Sequence, residues 1–199
     1  MQTPGPADAL LVVDVQNDFL PGGALGVQHG DAVVEPLNRL IARWRDRGWP
    51  IVFTRDWHPP DHCSFHAQGG PWPVHCVAGT PGAQFADTLL VPAGALITSK
   101  ATDPRHEAYS AFERTGLAEH LHRAGVTRVF IGGLATDYCV RATGADARYL
   151  GFDLTVLTDA VRAVDVRPGD GDRALQELAA GGTGMTTTAE VLAAMETAG

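Results

Sequence analysis

Apolar residues fall along this chain in short unbroken runs, separated by longer stretches in which apolar and polar positions recur with helical spacing. The runs are Ala9–Val13, Ile51–Thr54, Ala95–Thr98, Val129–Ile131, Leu154–Leu157 and a weaker one at Met185–Thr186. Continuous hydrophobicity in such runs, up to five residues long, predicts strands covered on both faces, as in a parallel sheet. Between the runs, Val34–Arg47 places Leu37, Leu40, Ile41 and Trp44 on one stripe, with Pro36 in its first turn and Gly48 just beyond its end. Further helices are predicted over Leu117–Ala124, Cys139–Leu150, Gly171–Ala180 and Ala189–Ala198, the last capped by Thr188 with Glu190 in its first turn. Strands alternating with helices through short connections predict an α/β domain with right-handed crossovers. At 199 residues the chain suits a single domain over 1–199. Asp56 to Phe85 breaks the pattern: it is rich in Pro, Gly and His and has no period. A loop that long in a compact domain is expected to be functional.

Composition narrows the possible roles. A formal charge of −8 with no basic run argues against nucleic acid or an anionic membrane as partner. The N-terminal apolar run is broken by Asp14 and follows no basic segment, so it predicts neither a signal peptide nor a membrane span. Three cysteines without CxxC spacing predict reduced thiols in a cytoplasmic protein. No heptad or long apolar edge sets the oligomeric state, and a homo-oligomer stays open.

In open α/β sheets, ligands bind beyond the carboxyl ends of the strands. Asp14 follows the first run, Asp56 and His58 the second, Lys100 the third, and the loop leading to Cys139 the fourth. A carboxylate, a D-x-H pair, an amine and a thiol are therefore expected at one edge of the sheet. Cys139 at a helix N-terminus, with Lys100 nearby, is expected to have a depressed thiol pKa, and Asp14 is placed to exchange its proton. The plainer alternatives are a buried apolar cysteine, Asp14 capping the turn after it, and Lys100 on the surface. Asp56, His58 and His75 suit a divalent metal, with Zn²⁺ preferred and Fe²⁺ or Mn²⁺ alternatives. His62 and His66 compete for a fourth position, and a structural site using Cys63 or Cys76 is the competing arrangement. Phe19, Trp72 and Tyr109 are candidates to line a flat pocket, against ordinary core packing.

The segments DVQNDFLPGG, RDWHP, WPVHCVAGTPGAQF, KATDPRHEAYSAF and GLATDYCVRATGADA together resemble the nicotinamidase/pyrazinamidase family of isochorismatase-like cysteine hydrolases, from about Leu10 to Asp165. The resemblance implies a Rossmann-like three-layer α/β/α fold with a six-stranded parallel sheet. It implies a catalytic triad of Asp14, Lys100 and Cys139, metal ligands Asp56, His58 and His75, and a cis peptide joining Leu134 to Ala135. Tyr138 stands where some members have His. The implied reaction is deamidation of nicotinamide, and of pyrazinamide too, through a thioester on Cys139. In it the Ala135 and Cys139 backbone N–H groups hold the oxyanion, and the ring lies among Phe19, Trp72 and Tyr109. Two other readings are an amidohydrolase of the same superfamily acting on ureido or carbamoyl substrates, and a non-catalytic metal-binding module with an inert cysteine.

Overall fold

The computed structural model describes residues 3–197 and is built around one sheet of six parallel strands. The strands are β1 (Asp8–Val13), β2 (Ile51–Asp56), β3 (Leu96–Lys100), β4 (Arg128–Leu134), β5 (Asp153–Arg162) and β6 (Gly184–Thr186). Their spatial order is β3-β2-β1-β4-β5-β6, every neighbouring pair parallel. The helices are α1 (Val34–Asp46), α2 (Leu117–Arg123), α3 (Arg141–Tyr149), α4 (Asp170–Ala180) and α5 (Thr188–Thr197). Ala198, the last residue of the predicted C-terminal helix, lies outside the described residues.

Pleating divides the strand residues between two cores. Leu10 and Val12 of β1 face α1 and α5, packing with Leu37, Leu40, Ile41 and Trp44 of the α1 stripe and Val191 and Met195 of α5. Ala9, Leu11 and Val13 face the other side, against Leu117 and Leu121 of α2, Val140, Ala147 and Leu178. All six residues of β1 are buried, as its unbroken apolar run predicts. Each large apolar side chain removed from water here contributes about 1.5–3 kcal/mol. The sheet is thus the middle of three layers.

The edges depart from the expectation of two covered faces. Ile97 in β3 and Met185 in β6 are exposed, because an edge strand has helices over only part of its width. β4 and β5 run past their apolar segments. β4 continues through Gly132 and Gly133, where the register against β5 shifts. Gly133 has φ +123°, and a Cβ there would lie 2.0 Å from the Val13 carbonyl oxygen, so only glycine lets the two central strands lie this close. β5 continues through Thr158 and Asp159, whose side chains bond to the last strand and helix: Thr158 Oγ1 donates to the Thr186 carbonyl at 3.1 Å, and Asp159 accepts from Thr188 N and Oγ1 at 2.8 and 2.6 Å.

The cap of α5 also differs. Thr187 Oγ1 accepts from Glu190 N at 3.2 Å while Glu190 Oε2 accepts from Thr187 N at 2.9 Å, a reciprocal capping box. Thr188, the expected cap, is instead the first residue of the helix and is tied to Asp159.

The long stretch from Asp56 to Phe85 is fastened by three side chains that follow β1. Gln16 accepts from Asp56 N at 2.8 Å and donates to the carbonyls of Asp56 and Ala83 at 2.8 and 2.9 Å. Asn17 donates to the Pro81 carbonyl at 2.9 Å, and Asp18 accepts from Cys76 N at 2.7 Å. Among the described residues, no helix is long and apolar enough to cross a membrane.

Candidate active site

β1 lies where the strand order turns back, with β2 and β3 on one side and β4 to β6 on the other. Such switch points open a crevice at the carboxyl ends of the strands. Asp14 leaves β1 with φ +48°, a left-handed turn that aspartate tolerates, and its side chain is fully buried. Asp56 and Lys100 end β2 and β3 and are register partners. Cys139 comes from the segment after β4.

These side chains meet. Lys100 Nζ lies 2.9 Å from Asp14 Oδ2, in contact with Asp56 Oδ1, 3.2 Å from the Ala108 carbonyl and 3.4 Å from Cys139 Sγ. The Lys100 side chain has no solvent exposure, which excludes the surface-lysine alternative. Asp14 caps no turn: its Oδ1 accepts from Thr54 Oγ1 at 2.6 Å. Its Oδ2 has an ion-pair contact with Lys100 but no donor in hydrogen-bonding geometry.

The expected depressed thiol pKa is not found. Burial holds the Cys139 thiol well above its ordinary value; Lys100 pulls it down, but Asp14 and Asp56 push it back up. Cys139 also does not begin an α-helix. It lies in a π-helical turn, Thr136–Val140, one turn ahead of α3, so the N-terminus of α3 stands beyond it. Burial raises the Asp14 carboxyl above its usual range, outweighing Lys100. Asp56 moves the other way: burial opposes its ionisation, but Lys100, then His58 and His75, hold it below the usual range. Lys100 itself is raised well above normal; burial works against the charge, and the two carboxylates and Cys139 overcome it. The resting cluster is therefore a charged lysine, an ionised Asp56, and a thiol beside Asp14.

Asp56, His58 and His75 present one ligand atom each, all within 4.8 Å of one another. His58 Nδ1 donates to the His75 carbonyl at 3.0 Å, leaving buried Nε2 without a partner. Burial lowers the His58 pKa to about 4, so the ring is neutral and its lone pair available. His75 Nδ1 bonds the Pro73 carbonyl at 2.8 Å, which likewise frees its Nε2. An orphaned buried imidazole nitrogen facing a carboxylate and a second imidazole fits a divalent cation. His62 faces His58 and Glu107, but both its nitrogens are engaged, with Ser64 Oγ at 2.7 Å and the His106 carbonyl at 3.1 Å. His66 is exposed and bonds the Gly70 carbonyl. All three cysteines are free; Cys76 is buried in the α1-side core, and neither it nor Cys63 joins a ligand group among the described residues.

Next to both clusters is a pocket of about 400 Å³. Phe19, Trp72 and Tyr109, the three expected aromatics, line it together with Asp56, His75, Ala135 and Cys139. Trp72 Nε1 donates to the Tyr109 hydroxyl at 3.0 Å, and Tyr138 packs edge-on against Trp72 at 5.1 Å between centroids. Phe19 leans on His75 from another side at 5.6 Å. The Leu134–Ala135 peptide is cis. Sequence reasoning missed Leu25, Glu107 and Val164 in the lining. It also missed Gln16, which grips Asp56, and Asp137, whose carboxylate accepts from Val164 N and Asp165 N, both at 2.9 Å. The available signal was polar residues packed around Asp14 and Cys139 in the sequence; which of them face inward is visible only in three dimensions.

The isochorismatase domain model matches residues 8–190. The nicotinamidase of Escherichia coli is 38% identical, over 93% of this chain and 97% of that protein. The nicotinamidase/pyrazinamidase of Mycobacterium tuberculosis is 40% identical, over 78% and 87%. Among solved structures, the pyrazinamidase of Pyrococcus horikoshii in complex with zinc superposes with a TM-score of 0.88 at 50% identity, covering 92% of this chain and 99% of that one. With the family model spanning the sheet and both side-chain clusters, this chain belongs to the isochorismatase family.

Proposed function

We propose that the chain is a metal-dependent cysteine amidohydrolase that converts nicotinamide to nicotinic acid and ammonia. One observation carries the reading: Cys139 Sγ sits within 3.4 Å of a buried lysine clamped by two carboxylates, at an aromatic pocket that borders a carboxylate and two imidazoles. The similarity to enzymes named for this substrate supports the ring amide over ureido or carbamoyl compounds.

Asp56, His58 and His75 are the residues that would hold the metal. A divalent ion held there, zinc in first place, would supply Lewis acidity at the edge of the pocket that receives the substrate ring. Phe19, Trp72 and Tyr109 hold the ring flat and present the carboxamide carbon to Cys139. Because the thiol is held protonated, attack is coupled to proton transfer: Asp14 takes the proton as the C–S bond forms. The backbone N–H groups of Ala135 and Cys139 receive the charge that develops on the carboxamide oxygen. Lys100 stays charged throughout, so the sulfur and the carboxylates always face a cation. Asp14 then returns the proton to the departing nitrogen, and ammonia leaves a thioester. Water, giving one proton to Asp14, cleaves the thioester; nicotinic acid leaves, and the proton on Asp14 returns to sulfur.

Cys139→Ala tests this. Ammonia release from nicotinamide should fall at least 10³-fold while the thermal transition is kept, since nucleophile loss commonly costs this much or more. An active variant rejects the thioester. A substrate panel in which ureido acids turn over faster than nicotinamide rejects the substrate assignment.

A further inference from the structure

Tyr138 lines two cavities: the active-site pocket and a neighbouring polar one of about 540 Å³. In a chain of net charge −8, the second cavity gathers Arg141, Arg167 and Arg173. Arg141 pairs with Glu177 at 3.2 Å, and Arg173 pairs with Asp170. The Arg167 guanidinium has no hydrogen-bond or ion-pair partner among the described residues; its backbone bonds to Asp170, the N donating to Oδ2 at 2.8 Å and the carbonyl accepting from Asp170 N at 3.0 Å. Asp137 also borders the cavity, but both its carboxylate oxygens accept backbone N–H groups from the segment after β5. Three guanidinium groups thus face three carboxylates, one of them already occupied by backbone N–H groups, and the Arg167 guanidinium keeps its hydrogen-bond donors unused among the described residues.

The geometry points to a regulatory site for a phosphate-class oxyanion in this cavity. Guanidinium forks match the oxygen spacing of phosphate, and a dianion can take Arg167 outright while sharing Arg141 and Arg173 with their acidic partners. Occupancy reaches the catalytic pocket through two contacts. Arg141 Nε donates to the Asp137 carbonyl at 3.1 Å, inside the same π-helical turn that carries Cys139. The Asp137 carboxylate in turn fixes Val164, which lines the catalytic pocket. An anion drawing on Arg141 therefore loads the turn that positions the nucleophile.

Inorganic phosphate and phenyl phosphate, titrated at constant ionic strength with acetate as control, test the site. Phosphorus NMR line-broadening should saturate with the wild-type protein. It should weaken at least tenfold in the Arg167→Gln/Arg173→Gln double variant, whose exposed substitutions leave the thermal transition unchanged. Absence of saturation, or equal affinity in the variant, overturns the site. Saturation by phenyl phosphate but not inorganic phosphate identifies a phosphate ester as the ligand within the same site. The regulatory part rests on the proposed amidase activity. Phosphate should change the KM for nicotinamide at least twofold in the wild type and leave it unchanged in the variant, and a KM unmoved by saturating phosphate overturns that part. Binding is read without turnover, so failure of the amidase reading and failure of the site remain distinguishable.

Discussion

Replacing Lys100 by Met keeps most of the side-chain volume and removes one charge from the centre of the site. The cation being lost is buried against Asp14 and Asp56, whose side chains are 0% and 8% exposed. Deleting one partner of a buried, hydrogen-bonded ion pair costs about 3–5 kcal/mol, because the remaining charge stays desolvated. The pH dependence follows from the shifts. Lys100 is raised in the folded state, so its contribution is complete below its ordinary pKa of 10.5 and is lost only as pH rises through the higher folded value. Asp56 is lowered, so its contribution is present above 3.8 and is lost as pH falls through the lower folded value. At pH 7.5 the wild type holds both contributions in full. Without Lys100, burial drives both carboxyls above their unfolded pKa values, so the variant regains stability on acidification by binding protons. Urea unfolding of chelator-stripped protein should show a gap of about 3–5 kcal/mol at pH 7.5. The gap should narrow toward pH 5.5 by about 1.4 kcal/mol per pH unit for each carboxyl that titrates only in the variant. A gap under about 1 kcal/mol at pH 7.5, or one that widens on acidification, refutes the electrostatic account of this cluster.

Two further substitutions probe how the site is held. Gln16→Leu strips the backbone of Asp56 of its side-chain partners, so metal affinity by competition with a chromogenic chelator should fall about 10–100-fold; unchanged affinity would show that Asp56 is positioned without it. Gly133→Ala forces a Cβ to 2.0 Å from the Val13 carbonyl at a positive φ, so unfolding free energy should drop by about 3 kcal/mol or more from strain and overpacking together; a fall under about 1 kcal/mol would show that β1 and β4 can separate at no great cost.

What could be read from the chain follows from the range of the interactions involved. Unbroken apolar runs reveal buried strands because burial on both faces leaves no polar position, and β1 shows this along its whole length. The same rule ended β4 and β5 too early. Gly132 and Gly133 look like a break, yet Gly133 is what brings β4 against Val13, and Thr158 and Asp159 look like loop but bond to β6 and α5. The convergence of Asp14, Asp56, Lys100 and Cys139 was legible because each sits at or just past the carboxyl end of a strand in a parallel sheet, where topology brings them together. The roles of Gln16, Asn17 and Asp18 were not. Their partners lie about forty to seventy positions away, in a stretch without period, and no local preference reports such pairings.

The largest discrepancy concerns the thiol, and it leads to a prediction that runs against intuition. A cysteine beside a lysine is ordinarily read as a ready thiolate. Here burial is the dominant influence, and the two carboxylates that keep Lys100 charged also oppose a negative sulfur. Asp14 thus helps hold the proton on sulfur at rest, and in the proposed mechanism it accepts that proton only during attack. Asp14→Asn removes that restraint while Lys100 stays in place. Thiolate should then be more populated, and iodoacetamide should modify Cys139 faster in the variant than in the wild type at pH 7, although ammonia release is lost for want of a proton acceptor. Peptide mass mapping of Cys139 against Cys63 and Cys76 measures the first effect, and a coupled ammonia assay the second. Equal or slower labelling in the variant would mean that the charge on Asp14 does not hold the proton on sulfur, and proton transfer to Asp14 would lose its place as the step that releases the nucleophile.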